Sequence, residues 1–145
     1  MGAKVLMRVI LDTNVLLSAL ISPYGPPDAI YRAWRAARFD LVTSNAQLDE
    51  LRRVSRYPKL TTILPAHRVG TMVNNMRQAI VLDALPPLPA GVEANDPNDT
   101  FLLAMALAGD ADYLVTGDRR AGLLQRGSIG RAQIVTPAAF CTKTL

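Results

Sequence analysis

RVILDTNVLLSALI, residues 8–21, decides how the whole chain is read. Arg8 to Asp12 is a short run of β-branched and apolar residues closed by a carboxylate, and Asn14 to Ile21 is an apolar stretch of helical length. A strand that is apolar throughout, with no alternation, is buried on both faces, as in a parallel sheet covered by helices. The same kind of run recurs at DLVTS (40–44), AIVLDAL (79–85), DYLVT (112–116) and AQIVT (132–136). Between them the patterning predicts helices over about 14–21, 28–38, 45–56, 66–78 and 98–109. The alternation predicts a three-layer α/β/α domain around a central parallel sheet.

The chain is read as one domain, 1–145, with its core over about 8–140. Pro-rich SPYGPP (22–27) and LPPLPAGVEANDPND (85–99) read as loops within it, and there is no internal repeat. A composition that is 50% hydrophobic and 19% charged is that of a globular chain and excludes a disordered one. The longest apolar runs, VLLSALI (15–21) and FLLAMALA (101–108), are too short to cross a bilayer. The start has no secretory h-region or cleavage site, so a cytoplasmic location is expected, with Met7 as an alternative first residue.

The single cysteine, Cys141, excludes an internal disulfide and a cysteine-rich zinc site. The single histidine, His67, lies in the polar stretch PAHR and reads as a surface residue. None of the three lysines, Lys4, Lys59 and Lys143, sits in a catalytic motif. Hydrolytic chemistry would therefore fall to carboxylates, or to Ser, Thr or Lys. The net charge of +4 is carried mainly by arginine, the side chain suited to forked contacts with phosphate.

Two helix starts are legible. Ser44 with Gln47 three residues on forms a capping-box signature for the helix at 45–56. In Asp96-Pro97-Asn98-Asp99, Asp96 fits the N-cap, Pro97 the first helical position and Asp99 the third.

Of the twelve acidic residues, those that matter lie just past the carboxyl ends of strands or in the first turn of the next helix, where α/β sheets place chemistry. Asp12 ends a strand, as helix cap or as ligand. Asp118 repeats the geometry after Thr116 and Gly117, as turn residue or as ligand. On helix 45–56 the stripe Leu48, Leu51, Val54 faces the core; Asp49 points away towards Arg52, Arg53 and Arg56, while Glu50 stands at the boundary of core and solvent. Glu50 is the better ligand. Asp99 stands at the mouth of an almost wholly apolar helix, and Asp96 is an outer candidate. If Asp12, Glu50, Asp99 and Asp118 meet, their charges repel, and a hard divalent cation with oxygen ligands relieves that repulsion.

These stretches resemble the PIN-domain family. LDTNVLLSAL (11–20) is similar to its opening motif, with Asp12 a metal ligand and Asn14 beside it; TSNAQLDELRRV (43–54) and YPKL (57–60) resemble the second, carrying the conserved Glu onto Glu50. DPNDTFLLAMALAGDADYLVTGD (96–118) resembles the third and fourth, with ligands at Asp99 and Asp118 and Thr116 nearby, and IVTPAAF (134–140) matches the closing strand and short helix. The resemblance implies strand order 3-2-1-4-5 and Mg2+- or Mn2+-dependent endonucleolytic cleavage of RNA, with Asp96, Asn14 and Thr116 as outer-shell residues. It also implies the toxin role in a prokaryotic toxin–antitoxin pair, with an antitoxin partner; a homodimer or higher homo-oligomer is a further expectation. Where similar sequences carry Lys-Asp after TGD, this chain has Arg119-Arg120.

A phosphotransfer enzyme with Asp12 as nucleophile is disfavoured, because a haloacid-dehalogenase pattern needs a second Asp where Asn14 stands, and there is no glycine-rich phosphate loop. A non-catalytic RNA- or protein-binding module on the same fold is the alternative reading. Arg32, Arg35 and Arg38 share one face of helix 28–38, opposite Ile30, Ala33, Trp34 and Ala37, as a solvated face or as an RNA contact. Arg119 and Arg120, next to Asp118, are the favoured contacts to RNA phosphate.

Overall fold

The computed structural model describes residues 6–118 and 122–145, with the side chain of Asn98 outside the description. Arg119 and Arg120 lie outside the described residues. The chain runs β1 (Arg8–Leu11), α1 (Thr13–Ile21), α2 (Pro26–Arg35), β2 (Asp40–Ser44), α3 (Asn45–Ser55), α4 (Pro58–Thr61), α5 (Ala66–Met76) and β3 (Ile80–Leu82). A 3-10 turn (Pro97–Asp99) then leads into α6 (Thr100–Ala108), β4 (Tyr113–Val115), α7 (Leu123–Arg126), β5 (Ser128–Ile129), β6 (Ala132–Val135) and α8 (Pro137–Thr144).

The sheet order is β3-β2-β1-β4-β6-β5. The five predicted strands occupy the first five places in the expected 3-2-1-4-5 order, each parallel to its neighbour. The sheet as a whole is mixed, because β5 adds an antiparallel edge, pairing Ser128 with Gln133 and Ile129 with Ala132. Its two residues carry no periodicity. The visible signal is Gly130, whose φ of 56° supplies the left-handed backbone at the turn between β5 and β6.

The strand pleat divides the core. Val9 and Leu11 of β1 face one layer, made of α1, α2, α3, α5 and α8; Ile10 faces the other, built on α6 and α7. Phe140 fixes α8 to the first layer, meeting Tyr113 and Phe39 edge-on with ring centroids 5.3 and 5.7 Å away. In the second layer α6 is apolar on all sides, which suits a helix covered on both faces. The sheet covers one side, and Leu85, Leu88, Val92 and Ala94 of the proline-rich loop pack into the same cluster.

Three local expectations change. Pro26 and Pro27, read as loop, form the first turn of α2, where a missing N–H costs nothing. That helix ends at Arg35, and Ala37 takes a left-handed φ of 59°, so Arg38 is not part of a helical face with Arg32 and Arg35. Asp99 is not the third residue of α6. The Asp99 N–H bonds the Asp96 carbonyl at 2.9 Å, closing the 3-10 turn, and α6 begins at Thr100 with Asp99 in the capping position. No helix among the described residues is long and apolar enough to cross a membrane.

Candidate active site

Strand order reverses at β1: the chain moves outward through β2 and β3, then returns to place β4 on the other side of β1. After β1 the chain enters α1 on one face of the sheet, whereas after β4 it continues to α7 on the opposite face. The connections therefore part beyond the carboxyl ends of β1 and β4 and leave a crevice, the usual place for ligands in open α/β sheets.

Asp12 emerges into this crevice from β1. Its N–H still bonds the Val115 carbonyl of β4 at 2.9 Å. Its side chain caps α1, with Oδ1 accepting the Asn14 N–H at 3.3 Å, so the cap and ligand readings of this residue are compatible. Oδ2 accepts the Thr116 hydroxyl at 2.7 Å, and Thr116 Oγ1 in turn accepts the Asp118 N–H at 3.2 Å. Both Asp12 oxygens are thus oriented by neighbours on β1–α1 and β4.

Glu50 comes from α3, half-buried as its boundary position predicts, while Asp49 is exposed and meets Arg52 at 3.4 Å. The Thr13 hydroxyl donates to Glu50 Oε2 at 2.6 Å, joining the first turn of α1 to α3. Ser44 caps α3 through the Gln47 N–H at 3.1 Å, as expected. The reciprocal half of the capping box is replaced: the Gln47 side chain turns inward, to Thr43 and the Leu11 carbonyl.

Asp12, Glu50, Asp96, Asp99 and Asp118 line one cleft of about 160 Å3, walled on its apolar side by Val54, Phe101 and Leu102, with Asn14 also contributing. Asp99 is buried, and its Oδ2 has no hydrogen-bond partner among the described residues. Burial raises the carboxyl pKa of Asp12; the Thr116 hydroxyl and the Asn14 N–H oppose the rise, and the Asp118 charge adds to it. Burial likewise raises Glu50, against the Thr13 hydroxyl and with the charge of Asp12, while Arg53 lowers it. Burial, then the charges of Asp12, Asp96, Asp118 and Glu50, push Asp99 up to about 7. The four residues singled out from sequence thus line one cleft, and burial raises the carboxyls of Asp12, Glu50 and Asp99 there. Among the described residues, no group of three or more Asp, Glu, His or Cys side chains is already drawn into metal-holding geometry.

The family model described as PIN domain matches residues 8–120, which contain all of these carboxylates. The chain belongs to the PIN-domain family. No curated protein matches the chain. Among solved structures, this PIN domain is similar to a chain of VapBC2 from Rickettsia felis bound to a DNA fragment from their promoter, with a TM-score of 0.55. The two are 19% identical, and the match covers 90% of this chain and 98% of the other. At that identity the likeness is one of fold.

Sequence reasoning did not single out Thr13 as the partner of Glu50 or Gln47 as a buried link. The residues are adjacent to recognised motifs, but both contacts join segments more than thirty residues apart.

Proposed function

We propose that this PIN domain is a divalent-metal-dependent endoribonuclease, with Asp12, Glu50, Asp99 and Asp118 as its ligands and Asp96, Asn14 and Thr116 around them. The observation that supports this reading most strongly is the buried Oδ2 of Asp99, without a hydrogen-bond partner among the described residues, in a cleft shared with four other carboxylates. A buried carboxylate oxygen without a donor is costly, and like charges around it make it more so. The donor set is all oxygen, which suits Mg2+ or Mn2+.

Held by these carboxylates, such an ion would acidify a water for attack on phosphorus and would set positive charge against the phosphate oxygens. The chain's own residues orient the site. Thr116 and the Asn14 N–H fix the two oxygens of Asp12, and Thr13 holds Oε2 of Glu50. In the metal-free cleft the Asp99 carboxyl is pushed up to about 7, so binding of a cation there would displace its proton. Attack of water breaks one P–O ester bond of RNA, leaving a phosphate monoester and a free hydroxyl. Arg119 and Arg120, next to Asp118 in sequence, are proposed to hold the RNA backbone.

We further propose that the chain is the toxin of a toxin–antitoxin pair, with an antitoxin as partner. The PIN-domain membership and the similarity in fold to VapBC2, bound to a fragment of promoter DNA, support this role.

The test is cleavage of a labelled single-stranded RNA with Mg2+, Mn2+ or excess chelator, with Asp12→Asn purified in parallel. Cleavage that requires metal and falls by about two orders of magnitude or more in Asp12→Asn is expected. Undiminished cleavage in chelator overturns the metal mechanism, and intact RNA under every condition favours a non-catalytic binding module.

A further inference from the structure

Gln47 is wholly buried in the first turn of α3, and both ends of its amide are engaged. Oε1 accepts the Thr43 hydroxyl at 2.7 Å, and Nε2 donates to the Leu11 carbonyl at 2.6 Å. Leu11 is the residue before Asp12, and Gln47 stands one helical turn before Glu50. Among the described residues the β1–β2 register pairs Arg8 with Asp40 and Val9 with Leu41. Two residues further along β1, the Leu11 carbonyl is held by the Gln47 side chain.

We propose that Gln47 is a positioning residue, whose amide sets the separation of Asp12 from Glu50 and through it the cation affinity of the cleft. The inference rests on the reading of that cleft as a metal centre. Two bonds clamp the same pair of segments at two points. Thr13 Oγ1 to Glu50 Oε2 closes the outer end, and Gln47 Nε2 to the Leu11 carbonyl closes the inner end. With both in place, the stretch Leu11–Thr13 and the first two turns of α3 form a ring that cannot open without losing a hydrogen bond, part-buried at the outer end and buried at the inner one.

Burial alone gives no reason for an amide here. Leu48 and Leu51 already bury the apolar stripe of α3. A leucine at position 47 would bury apolar surface without needing partners of its own, but it would leave the Thr43 hydroxyl and the Leu11 carbonyl without the amide they bond. What the amide adds is direction, and its direction leads to the peptide unit that carries Asp12.

The experiment is a calorimetric Mn2+ titration of the whole chain, alongside thermal unfolding in chelator. It compares wild type, Gln47→Leu, and Gln47→Leu combined with Thr43→Val. Gln47→Leu is expected to lower Tm and weaken Mn2+ binding about tenfold, the low end for partners that orient metal ligands. The double variant no longer leaves the buried Thr43 hydroxyl unpaired, so its Tm is expected to recover in part while Mn2+ binding stays about tenfold weak. If Gln47→Leu does not fold, the double variant carries the comparison. Mn2+ affinity that returns to the wild-type value in the double variant, or is unchanged in both, overturns the proposal while the metal reading stands. A wild-type chain that binds no Mn2+ overturns the metal reading, and this inference with it.

Discussion

The Thr116 hydroxyl donates to Asp12 Oδ2 over 2.7 Å, joining residues 104 apart in sequence at the ends of two adjacent strands. β1 and β4 are in register at Leu11 and Val115, so the next residue of each strand arrives at the crevice side by side. Thr116 is fully buried, and its hydroxyl also accepts the Asp118 N–H, which makes one side chain the link between two of the acidic residues.

Thr116→Val keeps the shape and removes that link. Asp12 then loses the hydrogen bond that most opposes its raised pKa, so its pKa rises further. Unfolding by urea in chelator is expected to show a loss of about 1–3 kcal/mol, the cost of leaving buried polar groups without partners. Thr116→Ser retains the hydroxyl and should lose much less. Equal losses in the two variants would mean that packing, not the hydrogen bond, is what Thr116 contributes.

The metal-free protein should lose stability as pH rises. The Asp99 carboxyl moves from about 3.8 up to about 7 on folding, so between those values the folded state holds a proton that the unfolded state has released. Its contribution is full below the unfolded value and is lost as pH rises through about 7. Asp12 and Glu50 are raised as well and act with the same sign. Denaturant unfolding in chelator from about pH 4 to about pH 8 should therefore slope downward for wild type and less steeply for Asp99→Asn. Identical slopes would contradict the assignment.

Neighbouring acids on α3 should behave differently. Glu50→Gln is expected to reduce strongly the Mn2+-induced rise in Tm, because a ligand of the proposed site loses its charge. Asp49→Asn should leave that response intact and change stability by no more than about 0.5 kcal/mol, since its contact with Arg52 is an exposed ion pair. Differential scanning fluorimetry across a Mn2+ titration separates the two. A response lost equally in both variants would count against Glu50 as the specific ligand.

Much of the fold was legible because parallel strands buried on both faces leave continuous apolar runs, and five such runs with helices between them admit few arrangements. The strand order itself came from the resemblance of the motifs, not from periodicity. β5 was not legible, since two residues carry no pattern. The start of α6 was misread because Asp-Pro-Asn-Asp suits an α-helical first turn and a 3-10 turn alike, and a bond from the Asp99 N–H to the carbonyl three residues back selects the latter.

The chemistry of the site divides the same way. Which residues are acidic, that Asp12 and Asp118 follow strands and that Asp99 opens a helix, is written along the chain, because strand ends and helix starts are local features. Glu50 could be preferred to Asp49 from helical period alone, one at the core boundary and one facing solvent. What no local pattern contains is the environment that gives these groups their properties. Burial and four other carboxylates raise Asp99 to about 7, Thr116 holds Asp12, Thr13 holds Glu50, and Gln47 joins β1 to α3. Desolvation and short-range Coulomb and hydrogen-bond energies depend on distance in space, and only the folding of β1, α3 and β4 onto one another brings those distances down to a few ångströms.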